Sequence, residues 1–173
     1  CGYGVLVSNY FEYFKLSSYL RRHVRNPIGL VMGLNNLADI FKEEYYQCLD
    51  GGILEAFGVL FKDNVKIYAY PIDHENFERY RKQIGRGDNV EAEINEDGLV
   101  TVENLMVAQN LRNLYKYVRE NGFLEDLKNC NRTHMRLFSR DVFQRVRDRS
   151  ENWKECLPEC VAHLIEEKKL WKG

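Results

Sequence analysis

The sequence lacks several features that would assign a protein to a class at once. It has three prolines, two tryptophans and no apolar run that approaches the roughly 18 residues of a membrane helix. Its net charge of −1 does not favour general binding to nucleic acid or to a membrane surface. We therefore expect a soluble protein with no nucleic-acid partner and no membrane insertion.

The cysteines and the start of the chain also exclude some classes. There are five cysteines at irregular spacing, which are Cys1, Cys48, Cys130, Cys156 and Cys160. An odd number in a chain of this length does not favour a disulfide scaffold, so we expect the cytoplasm or another reducing, soluble compartment. The chain begins without methionine and enters an apolar run almost at once. We expect a fragment, a processed protein or a domain of a longer protein, although the expressed sequence could also simply lack the methionine.

Several sequence motifs of catalysis are absent. We find no Walker A sequence, no G-x-S-x-G elbow, no H-E-x-x-H motif and no zinc ribbon. No serine or cysteine has an obvious local partner that would activate it as a nucleophile. The sequence therefore leaves catalysis, cofactor and catalytic residues unassigned.

The residues that are present predict an α/β domain. Hydrophobic residues make up 45% of the 173 positions and charged residues 29%, which is typical of a globular chain with a core. Strand-like runs at residues 3–7, 28–33 and 65–70 alternate with helical patterns, and such alternation indicates parallel strands joined by right-handed crossovers. We predict a short parallel, Rossmann-like sheet flanked by helices in residues 1–127. Residues 128–173 are predicted to form a helical extension packed on the same domain.

Four predicted elements carry the later argument. "IGLVMG" is apolar at nearly every position and predicts a strand buried on both faces. Asn9 is a predicted helix cap, with Glu12 completing a capping box. Asn36 is the predicted cap of the helix "NLADIFKEEYYQCL", with Asp39 three residues later. In "ILEAFGVLF" the predicted apolar face consists of Ile53, Leu54, Phe57 and Leu60.

The main candidate site lies where these strands end. In a parallel sheet, ligands gather beyond the carboxyl ends of the strands, and a helix N-terminus there offers unpaired N–H groups to a phosphate. The predicted ligand-binding residues are Ser8, Asn9, Gly33, Asn35, Asn36, Asp73 and His74. The alternative is an ordinary capped corner, in which His74 is a cap or a solvated side chain. "GLNNLA" has one glycine where the dinucleotide fingerprint needs three.

Two further groups are candidate sites. Glu55, beside the break Asp50-Gly51-Gly52, is either a buried functional carboxylate or a solvated residue at a helix joint. Cys156, Cys160 and His163 could bind zinc with Cys130 or His134 as a fourth ligand, form a redox pair, or pack as small apolar groups. Because their spacing is not that of a standard zinc site, no metal is predicted.

An arginine-rich stretch follows in the last third of the chain. The arginines are Arg132, Arg136, Arg140, Arg145, Arg147 and Arg149. Acidic neighbours such as Asp141 and Asp148 dilute the positive field, so a solvated helix face or a protein interface is favoured over RNA. Tyrosines that stand beside charges, as in "EEYYQ", also suit a protein interface.

Four longer phrases carry a family resemblance. Together "SNYFEYFKLSSYLRRHVRNPIGLVMGLNNL", "DGGILEAFGVLFKDNVKIYAYP", "NLRNLYKYVRENG" and "FSRDVFQRV" resemble a poorly characterised family of larger bacterial and algal proteins, some labelled nicotinamide mononucleotide adenylyltransferase-like. The resemblance covers most of the 173 residues and implies that they correspond to a C-terminal portion of such a protein. The histidine motif with which adenylyltransferases contact their nucleotide is absent, so no catalytic residue is carried over.

Two functions follow as expectations. The first is a binding domain for a phosphate-bearing, nucleotide-like small molecule at the carboxyl edge of the strands. The second is an interaction or assembly subunit that binds a protein partner and no small molecule. In either case we expect the missing portion of a longer chain or a protein partner to complete the assembly.

Overall fold

The computed structural model describes residue 2 and residues 4–84, 90–94 and 96–171. The chain forms two compact units. The larger unit is Ser8–Cys130, and the smaller unit combines Cys1–Val7 with Asn131–Gly173. The larger unit contains the sheet and the residues of the main candidate site.

In the described part of the chain the larger unit has five α-helices and seven strands. The helices are α1 (Tyr13–Arg21), α2 (Leu34–Ile40), α3 (Gly52–Leu60), α4 (His74–Ile84) and α5 (Arg112–Glu120). The strands are β1 (Ile28–Gly33), β2 (Val65–Tyr70), β3 (Ile72–Asp73), β4 (Glu91–Ala92), β5 (Leu99–Val100), β6 (Leu105–Met106) and β7 (Leu124–Asp126). None of these helices, nor those of the smaller unit described below, is long and apolar enough to cross a bilayer.

The central sheet has three parallel strands in the order β1-β2-β7. The mixed α/β class with a short parallel sheet is therefore confirmed. The connections from β1 to β2 and from β2 to β7 both move in the same direction across the sheet. Right-handed crossovers that move in one direction place their connecting segments on the same face of a sheet. Ile67 and Ala69 on the covered face are at most 1% exposed, whereas Val31 on the other face is 64% exposed. The prediction that β1 is buried on both faces was therefore wrong.

The third strand of this sheet is not the one that the sequence predicted. Residues 4–7 form no strand, and Val5, Leu6 and Val7 are 86%, 65% and 91% exposed. Leu124–Asp126 takes the place beside β2 instead, with Ile67 opposite Leu124. An apolar run becomes a strand only where a neighbouring strand accepts its hydrogen bonds, and local sequence does not specify that neighbour.

Helix boundaries also differ from the predicted ones. Helix α1 begins at Tyr13, and Glu12 rather than Asn9 occupies the N-cap position. Helix α2 begins at Leu34 with Gly33 as its N-cap, so Asn36 lies inside the first turn. The helix ends at Ile40 and is followed by a separate 3₁₀ turn at Glu43–Tyr46, whereas the sequence predicts one continuous helix over both segments.

Helix α3 buries one stripe of its surface against the core. Ile53, Ala56, Phe57 and Leu60 are buried, but Leu54 is 67% exposed. Positions 53, 56, 57 and 60 recur at the three- and four-residue spacing of one helix face, and position 54 lies about 100° away from it. Leu54 was therefore wrongly included in the predicted apolar face.

Two short antiparallel pairs, β3 with β5 and β4 with β6, lie between β2 and α5 along the chain. The polar, glycine-bearing sequence of residues 85–98 predicts a long surface loop or hairpin, and this stretch contributes β4 to them. Its residues 85–89 and 95 lie outside the described residues.

The smaller unit contains α6 (Ser139–Asp148) and α7 (Glu159–Glu167), with a 3₁₀ turn at Trp153–Cys156 between them. Its core is formed by Val146, Trp153, Ala162 and Ile165. The helical spacing of apolar residues predicts both helices, "SRDVFQRVRDRS" with Ser139 as its cap and "LPECVAHLIEEKKLW" with Pro158 in its first turn. In the structure Phe138 rather than Ser139 occupies the N-cap position of α6. Pro158 occupies the N-cap position of α7.

Candidate functional site

A cavity of about 190 Å³ opens beside α2, the helix that follows β1. Its wall comes from the residues before and at the start of α1, from α2 and from the 3₁₀ turn. The lining residues are Phe11, Glu12, Tyr13, Asn36, Asp39, Ile40, Tyr45 and Tyr46. The whole cavity lies within the larger unit.

Two carboxylates in the wall are each held by a lysine. Glu12 Oε1 accepts a hydrogen bond from Lys15 Nζ at 2.6 Å, and this bond holds the pKa of Glu12 below its usual value. Asp39 Oδ1 pairs with Lys42, while Asp39 Oδ2 accepts from the Tyr80 hydroxyl at 3.2 Å. Each carboxylate thus has a fixed orientation and a neighbouring positive charge.

The rest of the wall is largely aromatic. The Tyr46 hydroxyl is buried and donates to the carbonyl of Ile40 at 2.7 Å, and burial raises its pKa. Burial, assisted by the charge of Asp39, also raises the pKa of Tyr13. Both phenols therefore stay protonated at neutral pH. Phe11 and Tyr45 are 96% and 41% exposed and border the solvent side.

Three predicted site residues lie close together in sequence where β1 ends and α2 begins. Gly33 has extended backbone, is exposed, and has open space where a side chain would begin. The Oδ1 atom of Asn35 is buried and accepts no hydrogen bond from the residues that the structure describes. Asn36 is exposed and lines the cavity. The structure therefore brings one of the seven predicted residues, Asn36, into the cavity wall.

The other four predicted residues stand elsewhere. Ser8 and Asn9 are exposed and follow no strand, so the premise that they end a strand of the sheet was wrong. Asp73 accepts hydrogen bonds from the backbone and the side-chain amide of Asn76 at 2.9 and 2.7 Å. It thereby caps α4, whose first residue, His74, donates its backbone N–H to the carbonyl of Gly98.

Sequence reasoning missed most of the cavity wall. Glu12 and Asp39 were assigned to helix caps, and Tyr45 and Tyr46 were noted only as tyrosines beside charges. A cavity depends on which elements meet, and the α1, α2 and 3₁₀ residues that meet here are separated along the chain. The one available signal was the combination of acidic and aromatic residues in "NYFEYF" and in "ADIFKEEYY".

The other candidates have structural roles. Glu55 Oε2 accepts from the backbone N–H of Gly51 at 2.9 Å, so this exposed carboxylate caps α3. Cys156 is a free thiol and Cys160 is disulfide-bonded, so the two do not form a redox pair with each other. His163 is exposed and lies 3.7 Å from Glu167. Among the described residues, no three His, Cys, Asp or Glu side chains form a metal-binding group.

The arginine-rich stretch is partly structural. Arg149 donates to the carbonyl of Leu170 at 3.1 Å and lies over the Trp153 ring at 4.9 Å. Arg145 lies 3.4 Å from the Cys156 sulfur. These contacts assign Arg145 and Arg149 to the fold of the smaller unit rather than to a shared binding surface.

No protein-family model matches the chain, and comparisons with curated proteins and with solved structures found no match either. The resemblance to the adenylyltransferase-like family therefore stays a prediction. A functional proposal has to rest on the chemistry of the cavity and its surroundings.

Proposed function

We propose that Ser8–Cys130 is a Rossmann-like binding domain for a phosphate-bearing, nucleotide-like small molecule, held beside α2 at the carboxyl end of β1. The observation that carries this proposal is the cavity whose wall includes Asn36 of the first helical turn. Ligands of open α/β sheets bind in the crevice beyond the carboxyl ends of the strands, and α2 begins at that end of β1.

The composition of the wall supports a polar ligand that also has an apolar face. Aromatic rings supply apolar surface, and Asn36 can donate and accept hydrogen bonds. The charges of Glu12 and Asp39 are neutralised by Lys15 and Lys42, so the local charge favours neither a cationic nor an anionic ligand. A ring that carries hydroxyl groups satisfies these conditions.

The phosphate is expected outside the cavity, near Gly33. The first backbone N–H groups of a helix have no partner within the helix, and the open space at Gly33 allows close approach to them. Helix α2 has only seven residues, so its dipole attracts a phosphate only slightly. We therefore expect the ring in the cavity to contribute more affinity than the phosphate does. We propose binding and assign no reaction.

A thermal-shift titration tests the proposal, with adenosine 5′-monophosphate, ribose 5-phosphate and inorganic phosphate as probes. At a ligand concentration 100 times Kd, a native-state ligand stabilises the fold by about 2.7 kcal/mol. For a domain of this size each 1 kcal/mol raises Tm by roughly 2–4 °C, so the expected shift is roughly 5–11 °C. Absence of a shift with every probe would reject the proposal.

Gly33→Val tests the position of the phosphate. A Cβ added at Gly33 meets no atom of the fold within 4 Å, and the valine side chain is expected to occupy the space through which a phosphate would approach. Gly58→Val is the matched control, because a Cβ added at Gly58, on α3, also has no atom within 4 Å. We expect Gly33→Val to weaken binding of the two sugar phosphates and Gly58→Val to leave it unchanged. Equal affinities in both variants would place the phosphate elsewhere.

The assembly-subunit function remains the second proposal, and one observation favours it. Val5, Leu6 and Val7 are consecutive, apolar and at least 65% exposed, which is unusual for a segment without a partner. Light scattering over a concentration series measures whether the chain self-associates. A concentration-dependent dimer that Leu6→Ser abolishes, combined with no ligand-induced shift, would favour assembly over ligand binding.

A further inference from the structure

We infer that the cavity binds the sugar ring of the ligand, with Glu12 and Asp39 accepting hydrogen bonds from two neighbouring hydroxyl groups and Phe11 closing over the ring. This inference rests on the proposed function and names the part of the ligand that the cavity selects. The two carboxylates border the same cavity from different parts of the chain. Glu12 lies just before α1, and Asp39 lies in α2.

The carboxylates are arranged as fixed acceptors. A carboxylate has about four lone-pair positions, so one bond to a lysine leaves capacity for a further donor. Lys15 holds Glu12, while Lys42 and Tyr80 hold Asp39, and these contacts limit the rotation of both groups. Two acceptors that border one cavity can each accept a hydrogen bond from a hydroxyl group of the same ligand. Carboxylates in this role bind ribose hydroxyls in dinucleotide-binding folds.

The size and charge of the cavity disfavour other occupants. Its volume of about 190 Å³ is below the roughly 300–1,000 Å³ of pockets that hold drug-sized ligands, so we expect it to hold one ring rather than a whole nucleotide. Carboxylate oxygens accept hydrogen bonds and donate none, so Glu12 and Asp39 offer a phosphate inside the cavity no hydrogen bond even though their charges are neutralised. A cation would meet carboxylates that Lys15 and Lys42 already neutralise. A neutral ring with hydroxyl groups avoids both conflicts.

Phe11 supplies the cover. Its side chain is 96% exposed although it borders the cavity, and residues 4–11 form neither helix nor strand. An exposed phenylalanine gains free energy when its ring is removed from water, and the C–H face of a sugar ring is the apolar surface that a bound ligand would present. Closure of Phe11 over the ring therefore couples ligand binding to burial of this side chain.

Calorimetric titration of the full chain with adenosine 5′-monophosphate and its 2′-deoxy analogue tests the role of the carboxylates. Loss of a hydroxyl that donates to a charged acceptor is expected to weaken binding roughly 10- to 100-fold. Asp39→Asn and Glu12→Gln should each weaken binding of the ribonucleotide and reduce its advantage over the deoxy analogue. Glu78→Gln is the matched control, because Glu78 forms an equivalent pair with Arg81 at 2.8 Å and does not line the cavity.

Phe11→Ala tests the cover, with Leu54→Ala as a control at another exposed apolar side chain. We expect Phe11→Ala to raise Kd roughly 10-fold through faster dissociation, with an unchanged Tm of the free protein. In Phe11→Trp, added ligand should shift the emission of the new indole to shorter wavelength. Comparison with the parent protein is needed because two native tryptophans contribute to the signal.

The outcomes separate the two proposals. If none of the phosphorylated probes binds the wild-type chain, the proposed function is rejected, and this inference with it. If the ribonucleotide and the deoxy analogue bind equally and Asp39→Asn changes neither affinity, the sugar assignment is overturned while the proposed function stands. If both carboxylate variants act as expected but Phe11→Ala does not, the cover is overturned alone.

Discussion

Asp126 is the residue whose substitution gives the sharpest test of the fold that surrounds the site. It lies half-buried at the end of β7, and its Oδ1 accepts from the backbone N–H of Val102 at 2.9 Å. Val102 is 1% exposed, and its carbonyl accepts from the buried Tyr115 hydroxyl at 2.7 Å. Asp126 and Tyr115 together attach the turn after β5 to the sheet and to α5.

The two variants of Asp126 separate its hydrogen bond from its charge. Asp126→Ala leaves the buried N–H of Val102 without an acceptor, and the expected cost is about 1–3 kcal/mol of unfolding free energy. Asp126→Asn retains a carbonyl oxygen that can accept the same bond, so we expect a cost below about 1 kcal/mol at pH 7. A typical domain has a total stability of only about 5–15 kcal/mol, so these effects are measurable.

The charge of Asp126 adds a pH dependence. Burial is the main cause that raises the pKa of Asp126, the negative charge of Glu103 adds to it, and the bond from Val102 opposes it. A raised folded-state pKa means that the native state holds the proton more tightly than the unfolded state does. The stability that this tighter proton binding gives the native state is fully present below the unfolded pKa of about 3.9. It is lost as the pH rises through the pKa of the folded state.

Urea unfolding followed by circular dichroism measures both effects between pH 3.5 and pH 7. The stability of Asp126→Asn relative to the wild type should increase across this range, because the variant has no buried charge to form. Glu93→Gln, at an exposed position, is the control and should show no such trend. A relative stability that is independent of pH, or an Asn variant as unstable as the Ala variant at pH 7, would refute the reasoning.

Two further predictions concern packing and can be measured by the same urea unfolding. Gly51→Ala should lower the unfolding free energy by about 1–3 kcal/mol, because the added Cβ would lie 2.8 Å from the Cβ of Glu55. Gly58→Ala, in open space within α3, should raise the unfolding free energy by up to about 1 kcal/mol. The reverse order of the two variants would contradict the described packing of α3. Leu37→Ala should lower the unfolding free energy by about 2–5 kcal/mol, because Leu37 is 0% exposed. Leu54→Ala, at a 67% exposed position, should change it by less than about 0.5 kcal/mol. Similar values for the two leucines would contradict the assigned helix faces.

Local pattern was sufficient for the long and strongly periodic elements. The sequence "AQNLRNLYKYVRENG" predicts a helix with an apolar face at Leu111, Leu114, Tyr115 and Val118. Tyr115 and Val118 of α5 and Leu111 just before it are buried, Leu114 is half-buried, and Gly122 adopts a φ of 69° after the helix ends. β1 and β2 lie where uninterrupted apolar or β-branched runs predicted them. In these segments the period of the side chains and the terminating residues act within a few positions of each other, so the sequence carries the information directly.

The candidate site was only partly predictable. Asn36 was identified from its place after a strand, and that rule needs only the order of the elements. Glu12 and Asp39 were assigned to helix caps, because each follows a capping residue at the usual spacing. Nothing in that spacing indicates that their carboxylates border one cavity. Their convergence depends on how the start of α1 packs beside α2.

The sequence by itself determined the mixed α/β class, the parallel pairing of β1 and β2, and the main helices, because these follow from periodicity and from the alternation of elements. Only the tertiary structure decided that Leu124–Asp126 and not residues 4–7 completes the sheet, and that one face of β1 stays exposed. It also decided that Glu12, Asn36 and Asp39 meet at one cavity. Strand partners and cavity walls are set by contacts between distant segments, and those contacts are selected by the packing of the whole domain.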